Sequence, residues 1–537
     1  MPGSVSEVPV LIVGGGPCGL AASLTLSRLG VDHLLVERHA KPLHHPKAVG
    51  VMQRTAELMR AWGAEEEMRA RGVPAEFGGQ MVWTTTLSGE ELGRTPTPDP
   101  DAGLSDPPSP TSSLRCPQHI TEAVLRARAS AQEHAEIRYE HDVGELSQDE
   151  SGVTATLTDR AGGADSTIRA GWVIAADGNG SRIRHELGIG RSGQGDMGHF
   201  INMFFRAELS PLVAERPAWS YSILTPELVG AFITLDGGTE WIMHRNLDEG
   251  ERVEDFPPER CIEAVRAGAG IADLDVDVLA IGSWIMGAEL SNRFRDGRIL
   301  LTGDAAHRTT PDGGVGMNTG IASAHNVAWK AGAVAAGWAG EALLDSYEQE
   351  RRAVAQRNVD YSAGRGEGMI KMAEAVRAGD LETVREAIAA RGAMGTRQGM
   401  DLGYTYESAA ILPDGSEPPA VENAMADYVQ NARPGARAPH LWLDDRRSTL
   451  DLFGEGMVVL TGGAGEPWAR AARDVAGGTP IATHALQDGG RGEELYGIEP
   501  DGAVLVRPDG FVAWRSRSAP SDPAAALRSG LASALGR

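Results

Sequence analysis

Gly14-Gly15-Gly16-Pro17-Cys18-Gly19 sets three glycines at GxGxxG spacing, after the apolar run Val10-Leu11-Ile12-Val13 and before residues 20–29, where Leu20 and Leu24 share a helical face. The first glycine allows a tight turn and the second lets backbone approach a pyrophosphate. The third lets helix and strand pack closely. The helix start, with Pro17 in its first turn, points amides and a positive dipole end at the phosphates. Glu37 ends the next strand, Leu34-Leu35-Val36, 23 residues after Gly14, where a carboxylate accepts ribose hydroxyls, with Arg38 beside it. The chemistry is adenine-dinucleotide binding. By itself the spacing admits a flavin or a nicotinamide.

A second constellation chooses the flavin. Arg298-Ile299-Leu300-Leu301-Thr302 reads as a buried strand ending in Gly303-Asp304. Pro311-Asp312-Gly313-Gly314-Val315-Gly316-Met317-Asn318 comes next, then a long helix. An acid at such a strand end binds ribityl hydroxyls, and a glycine-rich helix start offers donors to the flavin N1–C2=O edge, which becomes anionic on reduction. We therefore expect FAD as cofactor.

The elements that must position these residues emerge from composition and pattern. A chain of 537 residues predicts two to three domains. A formal charge of −24 argues against nucleic acid or an anionic membrane as partner. Cys18, Cys116 and Cys261 are far apart and without CxxC spacing, which suits a reducing cytoplasm and argues against a zinc site. The pair His44-His45, with His39, lacks further ligands at metal spacing, so no metal is expected. The run at 8–13 reads as a strand and not a signal peptide, and the Ala-rich residues 321–344 carry His325, Lys330 and Glu341, which fits a packed helix better than a membrane span.

The predicted fold class is α/β. A discontinuous Rossmann-like FAD-binding domain (1–80, 114–190, 287–345) carries an inserted, mainly antiparallel substrate sheet (81–113, 191–286). A helical connection (346–432) leads to a thioredoxin-like domain (433–537) with no redox cysteine pair. Residues 95–113 hold six prolines and read as a mobile loop or lid. Near the C-terminus, Ser521 is the expected N-cap of a helix opened by Pro523.

Together with Val173-Ile174-Ala175-Ala176-Asp177-Gly178-Asn179-Gly180-Ser181-Arg182-Ile183-Arg184, the two motifs resemble, in the same order, those of the single-component aromatic hydroxylases with the para-hydroxybenzoate-hydroxylase fold. The likeness is greatest to their phenol and polyketide hydroxylase branch. The resemblance covers nearly the whole chain. It implies that Asp177, Ser181 and Arg184 serve the flavin and NAD(P)H pyrophosphates, that Arg54 lies near the cofactor phosphates, and that Val143 lies by the adenine. It also implies that Arg115 and Gln118 of Arg115-Cys116-Pro117-Gln118 contact ribityl and phosphate oxygens. With a single GxGxxG, NADPH or NADH is expected as a transient reductant. The resemblance further implies a C4a-hydroperoxyflavin that hydroxylates a phenolic or polyketide-type aromatic substrate with O2, and a homodimer is compatible with it.

Two departures matter. Gly180 replaces a usual charged residue, which leaves NADPH versus NADH open. Val49 stands where related phenol hydroxylases carry an acid, although a free phenol of pKa ~10 is ionised in only about one molecule per thousand at neutral pH. Candidate pocket walls are Trp219, Phe232, Trp241, Met243, Trp284 and Met286, about half of which strand alternation must turn into core. Tyr221 and His244 are the polar candidates for proton acceptor. A Baeyer–Villiger or epoxidising oxygenase, a flavin reductase that does not use oxygen, and a non-catalytic FAD-binding protein remain as alternatives.

Overall fold

The computed structural model describes residues 6–41, 45–163, 165–248, 250–393, 395–486 and 489–537. His44 of the expected histidine pair lies outside the described residues.

The strand Ser6–Val13 lies between Asp165–Ala175 and His33–Glu37, parallel to both, and the parallel set extends to Ile299–Leu301 on one side and Ala135–Tyr139 on the other. Four of these strands run in apolar stretches because helices and other strands cover both faces. Register fixes where the strands end. Val13 pairs with Val36 and with Ala175, and Ala175 pairs with Leu301. The glycine turn, Glu37, Asp177 and Asp304 therefore leave the same carboxyl edge of one sheet, where open α/β sheets bind ligands. The helices Pro17–Arg28 and Gly316–Ala335 pack side by side beneath it.

A second sheet of eight strands runs, in spatial order, His307–Arg308, Asp277–Ser291, Arg191–Arg206, Glu240–Asn246, Leu228–Thr234, Ser220–Thr225, Gln80–Thr84 and Glu91–Pro96. It is antiparallel except where Ser220–Thr225 meets Gln80–Thr84. A helix not anticipated from the sequence, Pro258–Ala269, covers the outer face of this sheet.

The long helix Asp345–Arg377 and the helix Leu381–Gly392 pack on the sheet's far edge through Met372, Val376, Val384 and Ile388. The C-terminal sheet orders Ile481–Ala485, Met457–Thr461, Ala503–Val506 and Val512–Ser516, with helices Glu466–Val475 and Pro523–Ala534 against it. The last helix is capped by Asp522, which accepts from Ala525 N at 2.9 Å, and not by Ser521.

The proline-rich loop is more firmly held than a mobile lid. Pro108, Ser109 and Thr111 are buried, Ser109 donates to Glu57 at 2.7 Å, and Arg437 of the C-terminal domain donates to Pro108 O at 3.2 Å. The C-terminal domain is likewise no loose appendage. Arg507 from its hairpin reaches Glu350 at 2.6 Å, and Lys330 meets the same carboxylate at 2.7 Å, all fully buried. Among the described residues no helix is long and apolar enough to cross a membrane.

Candidate active site

One cavity of about 1520 Å³ runs from the glycine turn to the antiparallel sheet. At one end are Gly16, Pro17 and Cys18, the Ala176–Asn179 corner, and Gly303, Asp304 and Gly316–Met317. Gly14 holds φ +110°, and a Cβ there would sit 2.4 Å from Ala176 O; one on Gly19 would sit 1.8 Å from Gly14 O. Both positions are closed by the protein itself. Gly16 differs: a Cβ there would meet no atom within 4 Å, so its bare backbone faces open cavity. The helices that start at Pro17 and Gly316 have no side-chain cap, so their first amides stay available to a ligand. Glu37 accepts from Gly15 N at 2.6 Å and His39 N at 2.8 Å, which aims its carboxylate along the turn. Asp177 Oδ2 accepts from Ile183 N at 3.2 Å while Oδ1 is buried with no hydrogen-bond partner. Burial raises the pKa of Asp304 above the usual carboxyl value, although Lys47, Arg191 and Arg308 pull it back. An open glycine cradle, an orphaned carboxylate oxygen and two uncapped helix starts fit a dinucleotide whose far half is a flavin.

Some expected contacts take other places. Asn318 lies at the helix start as expected, but its side chain bridges Met52 N at 2.9 Å and Gly50 O at 3.1 Å, so it fixes the segment beside the cavity. Pro311 and Gln118 line the cavity; Gln118 accepts from Ala48 N at 3.2 Å. Arg38 is exposed and Val143 is buried opposite Leu157, both outside the lining of the main cavity.

Arg54 requires a correction. It is buried against the C-terminal domain, bonded to Glu57 at 2.7 Å and to Asp509 O at 2.7 Å, because its helix turns that face outward from the cavity. Ser181 and Arg184 are also local: Ser181 caps its helix by accepting from Arg184 N at 3.0 Å, and Arg184 donates to Ile189 O at 2.7 Å.

At the other end, strand alternation sorts the aromatic candidates. Ser220 and Ser222, Val229, Ala231 and Ile233, and His244 and Asn246 face the cavity. Their alternates Tyr221, Phe232, Trp241 and Met243 face the helix Pro258–Ala269 and form core. Phe232, Trp241 and Met243 are therefore not pocket walls. Tyr221 is not a proton acceptor either, since its hydroxyl donates to Arg216 O at 3.0 Å and accepts from Ala218 N at 2.8 Å in the core. Trp219, Trp284 and Met286 do line the cavity. Trp284 stacks on Phe200 with centroids 4.3 Å apart.

His244 lines the cavity in a defined state. Asn202 Oδ1 accepts from Trp284 Nε1 at 2.7 Å, and an indole nitrogen only donates, so that atom is an acceptor. The same oxygen faces His244 Nδ1, which must then carry the hydrogen, and Nε2 is left with a free lone pair. Burial, with a contribution from His45, lowers the pKa of His244 to about 4, so the ring is neutral at pH 7. Asn202, 42 residues before His244, carries no motif, and only strand pairing brings the two together. Arg365, Arg391, Arg397, Gln398 and Asp401 also reach the cavity, from the segment expected to be a mere connection. Arg365 lies on the helix Asp345–Arg377 and the other four follow it in the chain, so only the packing of that segment against the sheet brings them to the cavity.

Fold and cavity together define a class: FAD-binding α/β oxygenases that hold a second, aromatic ligand against an antiparallel sheet. Comparison with known proteins agrees. The model of the FAD binding domain family matches residues 7–362, and that of the aromatic-ring hydroxylase C-terminal domain matches 431–537. The chain is 37% identical to a 4-methyl-5-nitrocatechol 5-monooxygenase of a Burkholderia species, over 99% of this chain and 98% of that protein. It is 37% identical to a tetracenomycin A2 monooxygenase-dioxygenase of Streptomyces glaucescens, with 99% and 98% covered. The crystal structure of the flavin-dependent monooxygenase PieE in complex with FAD and substrate superposes with a TM-score of 0.91 at 33% identity, covering 100% of both chains. The protein belongs to the FAD-dependent aromatic-ring hydroxylase family. It is a flavoprotein monooxygenase whose cofactor is FAD, with NAD(P)H as the reductant typical of that family.

Proposed function

We propose that this enzyme hydroxylates a fused-ring phenol or polyketide-type aromatic compound held between the flavin and the antiparallel sheet. The observation that carries this reading is the single continuous cavity of about 1520 Å³, larger than the ~300–1000 Å³ typical of one-ligand pockets and so able to take a second ligand beside the cofactor. FAD, reduced by NAD(P)H and reacting with O2, supplies the oxygen atom to be transferred. Gly16, Pro17 and Glu37 would hold its adenosine and pyrophosphate half, with Gly14 and Gly19 keeping the turn in shape. Gln118, Asp304 and the Gly316–Met317 amides would hold the flavin half.

His244 Nε2 accepts a hydrogen bond from a substrate hydroxyl and so orients the ring, while Asn202 and Trp284 keep its tautomer fixed. Phe200, stacked on Trp284, and Met286 exclude water from one wall. The 4-methyl-5-nitrocatechol named for one relative supports a phenolic ring. The three unpaired cysteines suit the reducing cytoplasm expected from the sequence.

The test uses the FAD-loaded enzyme with NADPH or NADH, a panel of polycyclic phenols and labelled O2. One labelled oxygen per product, with O2 uptake dependent on substrate, is expected. Flavin oxidation that proceeds with no substrate dependence and no labelled product would overturn the reading in favour of a reductase. A ring-expanded lactone or an epoxide would favour the Baeyer–Villiger or epoxidising alternative. Light scattering on the same preparation distinguishes monomer from homodimer.

A further inference from the structure

We propose that Arg115, with Arg397 and Trp219, forms an oxyanion corner that binds the aromatic substrate in its ionised form, as a phenolate, enolate or ring carboxylate. This rests on the aromatic-substrate reading above. Four other arginines around the cavity have carboxylate partners within the chain, and Lys47, also in the lining, bears on Asp304 at the cofactor end. Arg69 is met by Glu65 at 3.0 Å, Arg308 by Glu289 at 3.2 Å, and Arg365 and Arg391 share Asp312. Arg115 and Arg397 have no carboxylate within salt-bridge distance among the described residues, though both line the cavity. Arg397 donates to Gly313 O.

A guanidinium taken out of water without a counter-ion is costly, and a fold keeps one where a ligand brings the anion. Burial, reinforced by the positive charge of Arg397, lowers the pKa of Arg115 to about 9, which still leaves it a cation at neutral pH. Its partner surface is also unsatisfied. The guanidinium lies over the Trp219 ring at 4.3 Å, and the Trp219 indole N–H is buried with no acceptor. Donors without an acceptor, gathered round a cation, are the complement of an oxyanion.

Position separates this corner from the cofactor phosphates. Arg115 leaves the short strand Leu114–Arg115, paired with Gly50–Val51, and donates to Gly78 O at 3.2 Å. Gly78 and Trp219 lie on the side of the substrate sheet, since Trp219 N bonds Gln80 O at 3.3 Å and leads into Ser220–Thr225. The glycine turn lies instead at the carboxyl edge of the parallel sheet. The corner also bears on the missing acid at Val49. A fixed positive charge within ~4–6 Å of a phenol lowers its pKa by ~1–3 units, which raises the ionised share at neutral pH from about one molecule per thousand to between about one in a hundred and one in two without a carboxylate base. Each bound phenol that ionises releases one proton to solvent.

The test uses alizarin, a dihydroxyanthraquinone whose colour reports its ionisation, bound to the FAD-loaded protein without nicotinamide cofactor. Its visible spectrum is titrated with pH above the flavin band. We expect the bound dye to titrate at least ~1 pH unit lower than in water, with most of that shift kept in Arg115→Lys and lost in Arg115→Gln. Bound dye that titrates as in water, or a failure of the dye to bind, overturns the proposal without the variants and without any turnover. Two further results would also overturn it. Release of FAD from Arg115→Gln, read by flavin fluorescence, would assign the arginine to the cofactor. A loss of NADPH affinity with NADH and dye binding unchanged would assign it to the ribose phosphate. Because the dye equilibrium needs no oxygen, its outcome is separable from that of the hydroxylation assay.

Discussion

Arg507 and Arg437, at the seam between the FAD-binding and C-terminal domains, are each met by carboxylates and buried completely, whereas Arg115 stands in an interior cavity with only another cation bearing on its charge. The two regions use the same side chain for opposite ends. At the seam, Arg507 spans Glu350 and Asp509, and Asn326 donates to both acids. Arg437 grips Glu57 and also donates to the Tyr428 hydroxyl. Every one of these cations has its complement within the chain. In the cavity the complement is left to a ligand. Full pairing marks assembly, and absent pairing marks recognition.

The largest expected effect is at the seam. Glu350→Ala removes the acid shared by Arg507 and Lys330 and should destabilise the protein by about 3–5 kcal/mol in urea unfolding, because buried Lys330 loses its carboxylate and Arg507 keeps only Asp509. A loss under ~1 kcal/mol would mean that water already reaches the seam and would break the contrast. The same logic makes truncation near residue 432 an unsound way to isolate the FAD-binding domain, since Glu57 would lose Arg437 and Glu350 would lose Arg507.

His244→Gln tests the cavity side. It should lower kcat/KM by ~100-fold, about 2.7 kcal/mol, with FAD content and unfolding midpoint unchanged, if Nε2 is the acceptor that orients substrate. An equal loss of stability would mark it instead as a core residue like Tyr221.

Acid should open the seam before the cavity binds less flavin. His325 lies at the seam, and burial, aided by Arg54, lowers its pKa to about 3. A depressed histidine contributes its full stability above the unfolded value of ~6.5, and loses it as pH falls through the window toward 3. At pH 5 the deficit is about 2 kcal/mol for this one group, read as the difference in urea midpoint between pH 7 and pH 5. His325→Asn should flatten that dependence; an unchanged slope would exclude His325 as its origin.

The smallest effect is expected from Arg115→Met, which should change stability by less than ~0.5 kcal/mol, or raise it, because removing an uncompensated cation also removes its desolvation cost. A loss comparable to that of Glu350→Ala would show that Arg115 is structural.

The glycines and acids of the cofactor end were legible because backbone geometry, not context, demands them. Gly14 and Gly19 are excluded from any side chain by contacts within their own turn and its neighbouring strand, and the spacing to Glu37 is that of one βαβ step. The two corners were expected to meet, and the register of Val13, Ala175 and Leu301 brings their ends to one edge. The substrate end was legible only as composition. The sequence groups Tyr221 with His244 and Phe232 with Trp284, but could not say which strand face the helix Pro258–Ala269 would cover. Arg54 was misplaced for the same reason: a motif fixes a helix start, while the packing of a distant hairpin at Asp509 decides which face is interior.

By itself, then, the sequence determined the cofactor class and the glycine turn, since those depend on φ angles, helix dipoles and spacings of a few residues. Tertiary structure alone decided which aromatics are wall or core, how Asn202 sets the tautomer of His244, and which arginines lack a partner. Those properties depend on contacts between residues tens to hundreds of positions apart, and no local pattern encodes them.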